Sequence, residues 1–205
     1  MIEWSLSAQK QFYSVGPNHV CFWDLNNFQG GILKPKACTF GIGQEKVTQL
    51  CAASGLSDNM YTGGLNGNIY WWNKGSLKNN VQAHNGPIQC IRFISELHEG
   101  KPTIITGGSD KVVCFFDPVT LTSLRQITVD SVPRSVDFSK FLLIGLRNGN
   151  ILEYDIVKSV KEVIMQSHHD GELWAGCVIE DYNVFVTAAD DNKILMFDMD
   201  SKKCV

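Results

Sequence analysis

The residues with the greatest chemical potential in this sequence fall in four places. His168, His169 and Asp170 are adjacent and carry metal-ligating groups. Three neighbouring side chains cannot easily turn toward one centre, however, and no second cluster stands at ligand spacing, so no metal is expected. Asp190 and Asp191 form a carboxylate pair of the kind used for acid-base work. They lie in a short stretch between two apolar runs, where Asp is favoured because its side chain bonds the backbone of a turn. The glycine runs GGLNG (63–67) and GGSDK (107–111) could suggest a phosphate cradle. Such a loop needs a helix start behind it, and both runs lead into strand-like sequence, so no nucleotide or other cofactor is expected. No G-x-S-x-G motif and no credible Cys, His and acid grouping supplies a nucleophile. The chain reads as having no enzymatic chemistry and no catalytic residue.

The bulk composition points the same way. The 205 residues are 44% hydrophobic and 19% charged, as in ordinary soluble globular chains that bury a substantial core. A formal charge of −3 is too mild to steer the protein to a phosphate backbone, so nucleic acid is not an expected partner. No apolar run approaches the roughly 18 residues of a membrane helix, and the opening MIEWSLSAQKQ has no secretory apolar core, so no membrane association is expected. Seven cysteines without a C-x-x-C pair, an odd number, suit reduced thiols in the cytosol.

What positions these residues is a repeat. Five segments share one pattern: FYSVGPNHVCFWD, MYTGGLNGNIYWWN, TIITGGSDKVVCFFD, LLIGLRNGNILEYD and VFVTAADDNKILMFD. In each, an apolar run enters a turn rich in Gly, Asn or Asp, and a second run leaves it to end on an aromatic followed by Asp or Asn. Asn66-Gly67 and Asn148-Gly149 suit hairpin turns that need positive φ. The terminal residues Asp24, Asn73, Asp117, Asp155 and Asp198 are separated by 49, 44, 38 and 43 positions, a mean of 43.5. That is the period of a four-stranded propeller blade, about 40 to 45 residues. Inner strands are predicted at IEWSLS, VTQLCAAS, PIQCIRFIS, PRSVDFS and ELWAGCVIE, and outer ones at SLKNNVQA, SLRQITV and KEVIMQ, with KKCV as a last edge. The fold class is therefore all-β: about five four-stranded blades, over residues 1–40, 41–83, 84–129, 130–166 and 167–205. A single four-stranded sheet cannot hide both faces, so Trp71, Trp72, Phe115, Phe116 and Phe197 are expected to pack between neighbouring blades.

The closing aromatic-Asp, literal at Trp23-Asp24, resembles the dipeptide that names WD-repeat proteins. Within that class, YTGGLNGNIYWWNKGSL with QAHNGPI, and then HHDGELWAG, are similar to blades of the echinoderm microtubule-associated protein-like (EMAP-like) family, in the same order. The resemblance covers the whole chain. It implies a hydrogen-bond relay in two repeats, His84, Thr106, Asp110 and Phe116 in one and His168, Thr187, Asp191 and Phe197 in the other, the turn Asp holding the His. Phe replaces the family's usual Trp in both, so the Thr must find another partner. Elsewhere Ile144 takes the Thr place, Asn66 and Asn148 that of the Asp, and no His precedes VTQLCAAS, so those blades are expected to rely on packing more than on the relay.

The resemblance implies an internal part of a longer tandem propeller, whose open ends are completed by missing blades or another copy, since bare blade faces invite aggregation. It also implies a scaffold for tubulin, microtubules or other cytoskeletal proteins, located in cytoplasm, cytoskeleton or cilium. The alternative is a WD-repeat adaptor that recognises a peptide or protein in another assembly, such as a ubiquitin ligase or a ciliary transport complex. Loops around Asn85, Asp130, Arg147 and His169 are nominated for partner binding, because loops carry function while the scaffold holds them. The lysines Lys34, Lys36 and Lys46 form a modest basic segment, read as a solvated loop that could meet an acidic partner surface.

Overall fold

In the computed structural model residues 1–28, 32–41, 46–97, 100–168 and 172–205 are described. They form 19 strands and two single-turn 3-10 helices. No described helix is long and apolar enough to cross a membrane. The chain divides into two compact units, Met1–Val136 and Asp137–Val205.

The first unit holds three four-stranded sheets, each made of consecutive strands. The first comprises β1 (Ile2–Trp4), β2 (Gln11–Gly16), β3 (His19–Asp24) and β4 (Lys36–Ala37). The second comprises β5 (Gln49–Ser54), β6 (Asn59–Gly64), β7 (Asn68–Asn73) and β8 (Ser76–Gln82). The third comprises β9 (Ile88–Ile94), β10 (Thr103–Gly108), β11 (Val112–Phe116) and β12 (Ser123–Thr128). Strand β13 (Pro133–Phe138) crosses into the second unit and begins a fourth sheet with β14 (Leu142–Leu146), β15 (Ile151–Asp155) and β16 (Val160–Met165). A fifth sheet has three strands, β17 (Leu173–Ile179), β18 (Val184–Ala189) and β19 (Ile194–Asp198).

This is the all-β blade architecture that the period implies, with two differences at the edges. The first repeat acquires an outer strand, β4, that the sequence pattern did not single out: it is only two residues long and polar at Lys36. KKCV does not add a fourth strand to the last sheet and makes one isolated bridge, Phe197 to Cys204. The chain closes tightly on Asp198, with Lys202 at φ 60° and its N–H on the Asp198 carbonyl at 2.9 Å, so only the final residues fall alongside β19.

The hairpins follow from turn chemistry. Gly67 and Gly149 hold φ 85° and 83°, and each N–H reaches back to the carbonyl three residues earlier at 3.1 Å. Only the glycine takes positive φ; Asn66 does not, so the loop is the three-residue kind with a left-handed last position. A Cβ on Gly67 would lie 2.2 Å from the His84 carbonyl oxygen, so the following inter-blade loop has room only over a bare backbone.

Packing in the first unit joins sheet to sheet. Tyr13, Val15 and Val20 of the first sheet bury against Met60, Tyr70 and Trp72 of the second, with Phe40 edge-on to Trp72 at 4.8 Å. Cys51, Tyr61 and Ile69 bury in turn against Ile88, Phe93 and Ile104 of the third, where Tyr61 stacks on Phe93 at 6.0 Å. Each such large apolar side chain contributes about 1.5–3 kcal/mol on leaving water. Trp72, Phe115 and Phe116 are fully enclosed, Trp71 is partly so, and Phe197 in the second unit is half-buried. There Leu142, Ile144, Leu146, Leu152 and Tyr154 alternate onto one buried face of the fourth sheet. Strand β17 is exposed at all seven positions, with Trp174 70% accessible.

Candidate functional site: hydrogen-bonded turns beneath a loop rim

The β10–β11 turn is built around one carboxylate. Asp110 accepts from the Val112 N–H at 3.2 Å, which closes the turn locally. It also accepts from the Asn85 N–H at 2.9 Å, which ties down the loop arriving from β8. The third bond comes from His84 Nδ1 at 3.0 Å. A carboxylate only accepts, so Nδ1 carries the proton; Nε2 is then bare and takes the Thr106 hydroxyl proton at 2.8 Å. His84 is 2% exposed, and burial lowers its pKa against the raising influence of Asp110. A neutral imidazole satisfied at both nitrogens results.

In the second unit His168 Nδ1 lies 2.9 Å from Asp191, and its Nε2 lies 2.9 Å from the Thr187 hydroxyl. Thr187 has a further, long contact at 3.5 Å to the Leu195 carbonyl, beside the half-buried Phe197. Among the described residues the Thr106 hydroxyl makes no such second bond, and Phe116 in its sheet is fully buried. Asp190 and Asp191 diverge: Asp190 accepts from the Glu172 N–H at 2.8 Å and from the Trp174 indole, while Asp191 serves His168 and the Lys193 N–H. The Glu172 bond, followed by that from Trp174, holds the Asp190 carboxyl below its usual range. The pair is turn chemistry. His169 and Asp170 lie outside the described residues.

Two further hydrogen-bond chains lie in the first two sheets, of which the second is one expected to rely on packing more than on the relay. In the second sheet the Trp72 indole donates to Thr62 Oγ1 at 2.9 Å, and Thr62 donates to Gln49 Oε1 at 2.6 Å. Gln49 then donates to the Val47 carbonyl at 2.9 Å. In the first, the Trp23 indole donates to Ser14 at 2.7 Å, and Ser14 lies 2.6 Å from His19 Nε2. A long amide at the start of β5 and an imidazole at the start of β3 end these chains at positions the repeat pattern does not mark. Asn66 and Asn148 close their own turns, accepting from the Asn68 and Asn150 N–H groups. Only Ile144, buried and apolar, leaves its sheet without a hydroxyl at that place.

Above the third sheet these bonds gather loops into one rim. Besides the Asn85 tie, the Ser109 N–H bonds the Pro87 carbonyl and the Val129 N–H bonds the Lys111 carbonyl, both at 2.9 Å. Asn85 and Asp130, both exposed, therefore flank one turn, Ser109 to Lys111. Arg147 is exposed on the β14–β15 turn of the other unit. Two cations on this rim escaped the sequence pattern, which placed Arg147 alone near a rim hairpin. Lys111 sits in the turn at φ 63°, and Arg134 of β13 donates to Gln89, which donates to Ser109 at 2.8 Å. Arg134 carries no local signal, because β13 and β9 belong to different sheets and Gln89 lies 45 residues away in sequence. Among the described residues no three His, Cys, Asp or Glu side chains gather as a metal site.

Comparison with known proteins agrees with this geometry. A family model, WD domain, G-beta repeat, matches residues 75–117, which run from the end of the second hairpin to the third aromatic-Asp. The chain is 34% identical over 203 residues to the ciliary WD repeat-containing protein ctxp80 of Euplotoides octocarinatus, across 98% of this chain and 27% of that protein. The chain carries a WD repeat and is related to a ciliary WD-repeat protein and to EMAP-like proteins. It is 25% identical to the 77 kDa echinoderm microtubule-associated protein of Strongylocentrotus purpuratus, over 95% of this chain and 28% of that one. Against echinoderm microtubule-associated protein-like 3 of Homo sapiens the identity is 23%, over 91% and 23%. The chain thus spans about a quarter of the length of these relatives. In this WD-repeat segment, the aromatic-Asp hairpins are blade elements.

Proposed function

We propose that this WD-repeat segment is a non-enzymatic scaffold that docks proteins of the microtubule cytoskeleton, tubulin foremost, in cytoplasm or cilium. The similarity that extends along nearly the whole chain to proteins named as ciliary or microtubule-associated carries the reading. The rim supports it, since Asn85, Asp130 and Lys111 are solvent-facing while hydrogen bonds fix the backbone beneath them. Rigid loops spare a partner the entropy of ordering them.

Co-sedimentation with taxol-stabilised microtubules tests the proposal. A saturable fraction of the protein is expected in the pellet, reduced in an Asn85→Arg, Lys111→Glu variant that keeps the native circular dichroism. Protein that stays in the supernatant at saturating polymer overturns it.

A further inference from the structure

Two hairpin turns carry the same dipeptide in nearly the same setting, Leu65-Asn66-Gly67-Asn68 and Arg147-Asn148-Gly149-Asn150. In an Asn-Gly pair the side-chain amide is open to attack by the following backbone nitrogen, because glycine has no Cβ in the way. The residues after the asparagine largely set this intrinsic reactivity, and both asparagines are followed by Gly-Asn. The turns also match in their inner bonds. Each glycine takes positive φ, 85° and 83°, and each glycine N–H bonds the carbonyl three residues back at 3.1 Å. Each asparagine Oδ1 accepts from the N–H two residues on, at 3.2 Å for Asn66 and 3.3 Å for Asn148. Neither the local sequence nor the turn separates the two sites.

Their surroundings do. The Gly67 carbonyl accepts from the Ala83 and His84 N–H groups at 3.0 and 3.1 Å, and the Asn66 carbonyl accepts from Gln82 Nε2 at 3.2 Å. The Asn66 amide nitrogen donates to the Tyr70 hydroxyl at 3.0 Å, so both ends of that side chain are held, and Gly67 is buried. Gly149 is half-buried. Among the described residues neither the Gly149 carbonyl nor the Asn148 amide nitrogen has a hydrogen-bond partner. For reaction the glycine nitrogen must leave its carbonyl partner and the asparagine side chain must swing over it. At Gly149 that breaks the bonds of the turn itself. At Gly67 the loop at Ala83 and His84 must lift as well.

We propose that Asn148-Gly149 is a site of spontaneous deamidation and that Asn66-Gly67 is spared. The Gly149 backbone nitrogen gives its proton to solvent and attacks Asn148 Cγ. The N–Cγ bond forms, the Cγ–Nδ2 bond breaks, and Nδ2 leaves as ammonia. Water then opens the five-membered imide. Attack at Cγ restores the ordinary backbone with an aspartate at this place, whereas attack at the main-chain carbonyl leaves isoaspartate, its backbone routed through the side chain. The sum is amide plus water to acid plus ammonia, with nothing oxidised or reduced. Asn148 holds the turn place that Asp110 and Asp191 hold in their own sheets, and the product sets a negative charge beside exposed Arg147. The site is independent of which protein, if any, the rim meets.

The whole chain is aged in buffer above neutral pH, and each Asn-Gly peptide is followed by mass spectrometry, with isoaspartate counted by enzymatic methyl transfer from S-adenosylmethionine. In urea, where the structure is gone, the two sites are expected to convert at rates within about twofold of each other. In the folded chain Asn148 is expected to convert at least about tenfold faster than Asn66, since a single net hydrogen bond is worth up to about that factor and several hold Asn66 and Gly67. Tyr70→Phe removes the hydroxyl that Asn66 Nδ2 meets, and is expected to speed Asn66 by about threefold while leaving Asn148 unchanged. Equal rates in the folded chain, or a faster Asn66, overturn the proposal. So does a folded chain in which Asn148 stays intact while urea lets it convert, and so does a gap in urea as wide as the gap in the folded chain.

Discussion

Replacing Asp110 by Asn isolates what the turn carboxylate does. The carboxylate now accepts His84 Nδ1–H, the Asn85 N–H and the Val112 N–H, at 3.0, 2.9 and 3.2 Å. An amide offers one acceptor oxygen and puts an NH2 where the second oxygen was. If the oxygen stays toward His84 and Val112, two donors confront each other at Asn85. If the amide turns over, its NH2 confronts the Val112 N–H, and His84 must move its proton from Nδ1 to Nε2 to accept it. Either way one charge-assisted bond is lost and another is weakened, and bonds to charged groups are worth about 1.5–3 kcal/mol each. Asp110 keeps 17% side-chain exposure, so water recovers part of the loss. A net destabilisation of about 2–4 kcal/mol follows, a fall in Tm of roughly 5–15 °C for a chain of this size. Urea unfolding with thermal melts measures it. Asp130→Asn on the same rim is the control, an exposed aspartate expected to shift stability by less than about 0.5 kcal/mol. If Asp110→Asn matches that control, the carboxylate does not hold the turn and the relay argument fails.

The His84 relay also predicts a pH response. Burial lowers the folded pKa below 6.5, so the unfolded chain binds more protons on the acid side. Stability from this group is therefore complete above about pH 6.5 and is lost as pH falls from there toward the folded pKa. An NMR titration in which His84 protonates at or above the free value would contradict this. Gly67→Ala should cost about 3 kcal/mol or more, since its Cβ would sit 2.2 Å from the His84 carbonyl oxygen at φ 85°, whereas Gly16→Ala meets nothing within 4 Å and should be nearly neutral by the same urea assay. Under native conditions near pH 7.5, iodoacetamide should label exposed Cys177 first and half-buried Cys204 more slowly. Buried Cys38, with its thiol pushed up to about 11, and Cys90 and Cys114, pushed up to about 12, should stay unlabelled when mapped by mass spectrometry.

Much of the architecture was legible because its causes are local. Alternation of apolar residues sets strands, Gly67 and Gly149 set turns, and the recurring aromatic-Asp marks each third strand, all within a dozen residues. The pairing of His84 with Asp110 and of His168 with Asp191 could be expected from the family pattern, since both residues occupy fixed places in the repeat. Gln49 and His19 could not. Each ends a hydrogen-bond chain from a position that carries no repeat signal, and only strand register puts Gln49 within 2.6 Å of Thr62 and His19 within 2.6 Å of Ser14.

The amino-acid order alone therefore determined the kind of element and its repetition, because propensity, turn conformation and period act between near neighbours. The seams decided the rest. Tyr13, Lys36, Asp58 and Lys74 are scattered over two blades and share one cavity because a bridge at Thr39 and Ser76 and the Ser7–Asp58 bonds bring those blades together. Packing and register across tens of residues create such sites, and no local pattern of residues encodes them.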